Sequence, residues 1–302
     1  MSQERRGLLL GVVAYVLWGG FPLYWPLLEP AGAVEILSHR ITWSAVCMVL
    51  LVVVARRGRH LAEVVRDRRR LLLLTGAAVI ISVNWVTYIW AVNHDRVVEG
   101  SLGYFINPLV TVLMGVLVLR ERLRPLQWVA LGIAAFAVLV LTLDYGHPPY
   151  VALVLAFSFG TYGLVKKTAN TGAIESLTVE TLVLLPLAAG YLLFLSANGT
   201  SSFGQHGWVH ALLFVGTGII TAVPLILFGA AATRLSMVTL GLLQYLAPII
   251  QFCIGIWVFD EHMPLGRWIG FACVWVALIV FTVEAINHRR RDLRAAAEAA
   301  AI

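Results

Sequence analysis

The sequence predicts an all-α integral membrane protein with ten transmembrane helices, arranged as two inverted five-helix repeats. Three observations lead to this prediction: long apolar segments, a segregation of basic residues between alternate polar segments, and an internal similarity at a fixed offset. Of the 302 residues, 60% are hydrophobic and only 13% are charged. The charged fraction is about half that of a typical soluble domain.

Ten apolar segments are long enough to cross a bilayer as helices. A helix rises about 1.5 Å per residue, so about 20 residues cross a hydrocarbon core about 30 Å thick. Within lipid, a helix also satisfies its own backbone hydrogen bonds. The predicted helices cover 8–28, 33–54, 71–92, 98–119, 125–143, 149–165, 176–195, 208–230, 236–258 and 265–284. Arg5 and Arg6 precede the first segment, but no small-residue cleavage site follows it, so we interpret it as a helix and not as a signal peptide.

Lysine and arginine residues accumulate in every second polar segment. Of the 22 basic residues, 19 fall in the N-terminal segment, in the segments after predicted helices 2, 4, 6 and 8, and in the C-terminal tail. Because cytoplasmic loops are enriched in these residues, both termini are predicted to be cytoplasmic and the number of spans to be even. The arginine-rich run 66–70 is interpreted as an orientation signal that meets anionic lipid. We therefore predict no nucleic-acid partner, although the formal net charge is +6.

Two halves of the chain are similar when the first is shifted along the sequence onto the second. One shift, which we call the repeat offset, aligns Pro108 with Pro248, Glu121 with Glu261, and Trp128 with Trp268 as identical pairs. Each half contains five predicted helices, and an odd number of spans makes the second half enter the membrane from the opposite side. Inverted repeats of this kind are typical of secondary transporters. The predicted units are a first repeat over 1–143, a second repeat over 144–285 and a cytoplasmic tail over 286–302.

Short motifs follow one another in order in predicted helices 1, 2, 3, 4 and 9. They are Trp18-Gly19 with Pro22 and Tyr24, His39-Arg40 with Trp43-Ser44, Asn84-Trp85, the stretch 103–108, and Gln244-Tyr245 with Pro248. Through these motifs the chain resembles the EamA family of the drug/metabolite transporter superfamily, in particular its RarD-type branch, which is associated with chloramphenicol sensitivity. The resemblance implies an inner-membrane carrier with a central cavity, which transports amino acids, nucleotide-linked sugars, drugs or other small metabolites.

Polar and aromatic residues inside the predicted helices are the candidates for substrate binding. Polar groups are costly in lipid and usually face a partner or a cavity. Tyr104, Asn107 and Thr111 share one face of helix 4, and Gln244 and Gln251 repeat this spacing on helix 9. The candidate substrate-binding residues are Trp18, Asn84, Tyr88, Tyr104, Asn107, Thr111, Gln244, Tyr245 and Gln251. The alternative interpretation is that these side chains form interhelical hydrogen bonds and interfacial aromatic belts.

Three prolines are predicted to interrupt transmembrane helices. Pro108 and Pro248 lie between the polar positions of helices 4 and 9, and Pro22 lies in helix 1. A proline in a helix frees a backbone carbonyl, which is tolerated at membrane depth where it lines protein or a water-filled cavity.

Three ionisable residues are candidates for gating or coupling. Arg40 lies in helix 2, and the repeat offset relates it to Glu180 in helix 7, which suggests paired gates at the two faces. His39 adjoins Arg40, and the usual pKa of a histidine side chain would suit proton coupling. The alternatives are that Arg40 extends to the nearby interface and that His39 is a structural residue.

Two further patterns are interpreted structurally. Glu121 and Glu261 follow helices 4 and 9, and we expect each to cap the helix that comes next. The pairs Gly7 with Gly11 and Gly266 with Gly270 have the GxxxG spacing of closely packed helices.

The remaining function classes have little support in the sequence. The chain contains neither the HExxH motif of a zinc protease nor the GxSxG motif of a serine hydrolase, so we expect no enzyme activity. The three cysteines lie in apolar segments without paired spacing, and no metal or other cofactor is predicted. The chain has no Walker A motif, so ATP is not the direct source of energy. A membrane scaffold or receptor without transport activity is the alternative function. Substrate identity and oligomeric state are left open by the sequence.

An epitope tag in the connection 144–148 is expected to lie outside the cell, because this segment follows five spans from a cytoplasmic N-terminus. Antibody binding to intact cells, compared with permeabilised cells, measures the location. A tag in the tail is the control, and we expect it to bind antibody only after permeabilisation. The same behaviour at 144–148 would contradict the inverted topology.

Overall fold

The computed structural model describes residues 3–119, 123–232, 234–235, 239 and 243–299. In this part of the chain the secondary structure is helical, without strands. The α-helices, in chain order, are α1 Gln3–Gly19, α2 Ala33–Val54, α3 Gly58–Arg66, α4 Arg68–Val92, α5 Val97–Leu119, α6 Pro125–Tyr145, α7 Tyr150–Ala169, α8 Ala173–Ala197, α9 Gly207–Ala232, α10 Leu246–Trp257 and α11 Leu265–Ala299.

Most of these helices have the length and composition of membrane spans. Among the described residues, seven helices are long and apolar enough to cross a membrane, and eight if α1 and the bent segment after it form one span. Two shorter apolar helices lie within 150–166 and Leu246–Trp257. Large apolar side chains such as Leu143 and Leu187 are exposed on the outside of the bundle, as lipid contact requires. The chain is therefore an all-α membrane protein, as predicted.

The first predicted helix is shorter in the structure than in the sequence-based prediction. Helix α1 ends at Gly19, and the chain continues as two short 3-10 helices over Phe21–Leu23 and Trp25–Leu28. The axis bends by 41° at this break. Pro22 and Pro26 explain the change, because each lacks the amide hydrogen that an α-helix would use.

The ninth predicted helix also differs from the expectation. Thr239 and Leu243 are helical, Gln244 and Tyr245 lie in a turn, and α10 follows this turn. Pro248 is thus the third residue of α10 and not a break in the middle of a helix. Proline is tolerated in the first turn, where amide groups have no intrahelical partner. Pro108, in contrast, lies well inside α5. Residues 236–238 and 240–242 lie outside the described residues.

The helices pack in pairs that the repeat offset exchanges. Helix α4 packs against α7 and α9 packs against α1, while α5 packs against α7 and α10 against α1. Likewise α2 packs against α9, and α8 packs against α4. Three further pairs join a helix to its own counterpart: α2 with α8, α5 with α10, and α6 with α11.

The pair α6–α11 is held by close glycine contacts and by an ion pair at each end. A Cβ atom on Gly270 would clash with Cγ of Leu141, so the two backbones approach more closely than a side chain allows. Arg267 at the start of α11 binds Asp144 at a distance of 3.1 Å, and Arg124 before α6 binds Glu284. The predicted close packing at Gly7 and Gly11 is also present, because a Cβ there would lie within 2.8 Å of α9 or the segment after it.

Glu261 caps a helix other than the one we expected. Its carboxylate accepts hydrogen bonds from the backbone amides of Val97, at 2.5 Å, and Val98, at 3.1 Å, at the start of α5. The following helix, α11, is not its partner because the loop folds back across α5, where an acidic group meets free amides and the positive end of the helix dipole. Glu121 lies outside the described residues. Burial, with a smaller contribution from Asp95, raises the pKa of Glu261 to about 7 against the opposing effect of the two backbone amides and of Arg267.

The substitution Gly270→Ala is expected to destabilise the protein by about 1–3 kcal/mol, because the added methyl group overpacks the contact with Leu141. Gly132→Ala on α6 is the matched control, since a Cβ at Gly132 meets nothing within 4 Å. We expect this control to be neutral or stabilising by up to about 1 kcal/mol, as alanine favours helix. Thermal unfolding in detergent measures both, and equal stability of the two variants would contradict the packing.

The contribution of Glu261 to the stability of the protein is expected to decrease as pH rises between about 5 and 8. A carboxyl with a raised pKa binds its proton more tightly in the folded state, so its contribution is present at low pH and is lost as pH rises through the folded pKa. Glu261→Gln removes this titration and should flatten the dependence of the unfolding temperature on pH. The exposed Glu63 provides the control Glu63→Gln, which should keep the wild-type slope. Parallel profiles for wild type and Glu261→Gln would contradict the assignment.

Candidate functional site

A buried arginine in an aromatic enclosure is the main polar feature of the helix bundle. Arg40 is 4% exposed, and its Cζ lies 4.0 Å from the ring centroid of Trp85, 5.3 Å from that of Trp25 and 5.6 Å from that of Phe21. Its Nε donates a hydrogen bond of 3.0 Å to Oγ1 of Thr221. We name these five residues the Arg40 box.

The local structure of several helices creates the Arg40 box. The two 3-10 helices after α1 carry Phe21 and Trp25 to the arginine, α4 supplies Trp85, and α9 supplies Thr221. Arg40 lies seven residues after the start of α2, or about 10 Å along the axis. Irregular backbone at such depth is tolerated only where it is buried in protein or lines a cavity.

A hydrogen-bonded network on α4, α5 and α7 adjoins the Arg40 box. Asn84 donates through Nδ2 to the carbonyl of Leu155 at 2.9 Å and to Oγ of Ser158 at 3.0 Å, and its Oδ1 accepts from the hydroxyl of Tyr104 at 3.2 Å. Tyr104 contacts the ring of Tyr88 edge to face, with centroids 5.4 Å apart. Both tyrosines lie within electrostatic range of Arg40. The structure thus brings together the predicted residues Arg40, Asn84, Tyr88 and Tyr104.

Glu180 occupies a separate buried site and does not contact Arg40. Its carboxylate pairs with Nζ of Lys166 at 2.8 Å and accepts hydrogen bonds from Tyr162 at 2.9 Å and Ser176 at 2.7 Å. The side chain of Glu180 is about 2% exposed, whereas that of Lys166 is 24% exposed. The negative charge of Glu180 is therefore compensated within the protein.

His39 faces away from the Arg40 box. Its ring stacks on Phe203 at a centroid distance of 4.9 Å and packs against Phe214 at 4.4 Å. Both ring nitrogens are buried and have no hydrogen-bond partner among the described residues. His39 also lines a small cavity of about 150 Å³ with Ser201 and Gln205.

The polar residues predicted on helices 4 and 9 come together in one site only in part. Asn107 and Thr111 face α7 at Gly160, where a Cβ would lie 3.8 Å from Oδ1 of Asn107 and 3.6 Å from Oγ1 of Thr111. The Oδ1 atom of Asn107 is buried and has no partner within the described part of the chain. Nε2 of Gln251 donates a hydrogen bond of 3.1 Å to the backbone carbonyl of Trp18 and so joins α10 to α1.

The remaining candidate substrate-binding residues are Trp18, Tyr245 and Gln244. Trp18 packs against Tyr15 and Phe228, with centroids 5.3 and 5.7 Å away. Tyr245 bonds to the side chain of Thr282 on α11. Gln244 is half-buried in the turn before α10.

A cavity of about 710 Å³ lies near the starts of α2 and α7. Glu35, Trp90, Tyr150, Tyr191 and Ser202 contribute to its lining, and none of the predicted binding residues does. Sequence reasoning missed these residues because they lie at helix ends, where polar and aromatic side chains are common and carry no distinctive spacing. It also missed Phe21, Trp25 and Thr221, which the break after α1 and the packing of α9 bring to Arg40.

The described residues provide no evident site for a metal ion. No group of three or more histidine, cysteine, aspartate or glutamate side chains in this part of the chain could hold one. Cys47, Cys253 and Cys273 are free and half-buried.

Comparison with known proteins agrees with this architecture. A solved crystal structure with 18% sequence identity covers 93% of this chain and 99% of its own, with a TM-score of 0.60, so the two share a fold. The model of the EamA-like transporter family matches residues 5–143.

Several relatives match over nearly their whole length. Protein RarD of Streptomyces exfoliatus is 55% identical over 99% of this chain and 95% of its own length. Uncharacterized transporter YojE of Bacillus subtilis (strain 168) is 43% identical over 96% of this chain and 97% of its own. Chloramphenicol-sensitive protein RarD of Pseudomonas aeruginosa is 29% identical over 97% of this chain and 99% of its own. The chain therefore belongs to the EamA-like transporter family, in its RarD-type branch, and is a membrane transporter of the drug/metabolite type.

Proposed function

We propose that this protein is a secondary transporter that moves a small organic metabolite or drug across the inner membrane by alternating access, in the direction of efflux. Two inverted five-helix repeats, 1–143 and 144–285, would form ten spans with both termini in the cytoplasm. The segregation of basic residues supports this orientation.

The exchange of helix contacts under the repeat offset is the observation that carries the proposal. The most extensive contacts between different helices, such as α4 with α7, have counterparts between the exchanged helices, here α9 with α1. Two units related in this way can present one central site to either face by rocking about their common axis. A scaffold would not need such a relation between its halves.

The broken first span provides additional support. Discontinuous helices surround the substrate site in many secondary transporters, because the interrupted backbone and nearby side chains bind polar groups there. In this protein the interruption at Pro22 lies beside Arg40, which is among the most deeply buried charged groups of the described residues. We therefore assign the substrate site to the region of the Arg40 box and the adjacent Asn84–Tyr104 network.

Transport by the purified protein in liposomes is the direct test. We expect saturable uptake of at least one class in a panel of amino acids, nucleosides and amphenicols, the last chosen because one relative is named chloramphenicol-sensitive. The panel is measured with and without a pH gradient, and acceleration by the gradient would indicate proton coupling. Absence of acceleration would leave exchange or facilitated diffusion as the mode of transport.

Asn107→Ala and Gln244→Ala test the two polar stripes in the same assay. Loss of one hydrogen bond to a solute is expected to lower transport by about 2- to 10-fold. Gly132→Ala, a position in open space, should transport as wild type. Uptake of every panel compound at the rate of protein-free liposomes would contradict the proposed function.

A further inference from the structure

We propose that the Arg40 box binds the anionic group of the transported solute, and that this solute is an organic monocarboxylate with an apolar body. The inference rests on the proposed transport function for the role of the site. The binding chemistry that it predicts is measurable without transport.

Most of the hydrogen-bond donors of Arg40 are unused. A guanidinium carries five N–H groups, arranged as a planar fork that matches a carboxylate. In the described residues only Nε has a hydrogen-bond partner, the hydroxyl of Thr221. The four N–H groups on the two Nη atoms have no hydrogen-bond acceptor there, although the residue is 4% exposed. Such a group is prepared for a ligand that accepts two parallel hydrogen bonds.

Arg40 is also exceptional among the buried charges of the described chain. The buried carboxylates Glu99, Glu175, Glu180 and Glu284 each form an ion pair with a lysine or arginine. Glu35 has no ion pair but accepts hydrogen bonds from Ser201 and from both the amide and the hydroxyl of Ser202. Arg40 has neither a described carboxylate partner nor a full set of hydrogen bonds.

Comparison of Arg40 with its counterpart under the repeat offset makes the difference clear. Glu180 has the opposite charge and is neutralised by Lys166, with Tyr162 and Ser176 as further donors. The aromatic rings around Arg40 attract a cation, but they do not neutralise its charge. An unpaired charge away from water is costly, and an anionic ligand would remove this cost.

A second unused donor narrows the ligand class. The hydroxyl of Tyr88 is buried without a partner in the described residues, and the residue lies within electrostatic range of Arg40. One cation and one hydroxyl suit a single negative charge, whereas a doubly charged phosphate would leave one charge uncompensated. The partly buried ring of Trp85, whose centroid lies 4.0 Å from Cζ of Arg40, offers an apolar surface to the rest of the solute.

Ligand-induced thermal stabilisation of the purified full-length protein tests this site. Benzoate, phenylacetate and indole-3-acetate are each titrated beside the corresponding neutral amide, at constant ionic strength maintained with chloride. We expect saturable stabilisation by at least one acid and an affinity for its amide that is at least about 10-fold weaker, because charged hydrogen bonds are the stronger ones. Saturable stabilisation by chloride itself would replace the organic monocarboxylate by an inorganic anion and overturn the proposal.

Three variants assign the effect to the site. Arg40→Gln should abolish the preference for the acid, and Arg40→Lys should keep the preference with weaker affinity, since the charge remains but the fork is lost. Tyr88→Phe keeps the ring and should weaken acid binding by about 2- to 10-fold. The control Arg70→Gln removes a half-exposed arginine at the start of α4 and should bind as wild type.

The outcomes separate this inference from the transport function. Equal affinity for acid and amide, no response to any of the three acids, or an acid preference that persists in Arg40→Gln would overturn the anion site. If Arg40→Gln does not fold, wild-type affinity in both Arg40→Lys and Tyr88→Phe would overturn it. Transport of neutral panel compounds together with any of these results would leave the transporter intact, and acid binding without transport would contradict only the transport proposal.

Discussion

The requirement that a buried charge be compensated determines much of this structure. In lipid no water is available to solvate an ion, so each charged side chain inside the bundle needs a partner from another segment. Glu175 meets Arg57 and Glu284 meets Arg124, and the two members of each of these pairs belong to different predicted halves of the chain. Asp144 at the end of α6 meets Arg267 at the start of α11. These contacts join helices that are distant in the sequence, so charge compensation and helix packing support each other.

The same chemistry recurs at positions related by the repeat offset, but with different partners. Asp144 near the end of α6 binds Arg267 at the start of α11, and Glu284 on α11 binds Arg124 before α6. Glu35 and Glu175 both lie near the start of their helices, and each contacts the segment that follows the helix opposite, one through Ser202 and the other through Arg57. Arg40 and Glu180 depart from this pattern, because they differ in charge. Positions related by the repeat offset thus share the acidic side chains that join the helices. They differ at Arg40 and Glu180, where Arg40 belongs to the proposed substrate site.

Sequence reasoning predicted the features that depend on composition and spacing, and missed those that depend on tertiary contacts. The membrane class and the glycine contacts at Gly7, Gly11 and Gly270 follow from local patterns, and the structure agrees with them. The break after Gly19 needed the combined effect of two prolines, and the role of Glu261 depends on a loop that folds onto α5. The surroundings of Arg40 could not be predicted, since Thr221 lies far away in the chain, on α9.

The double attachment of α6 to α11 has a mechanical consequence. Ion pairs at both ends resist sliding along the helix axes, and the glycine contact between them resists separation or rotation. We therefore expect α6 and α11 to keep their positions relative to each other. Under the proposed alternating access, a change of shape is left to the helices around Arg40 and Glu180. Helix α5 packs against α6 and α11, and Phe252 of α10 packs against Phe271 of α11.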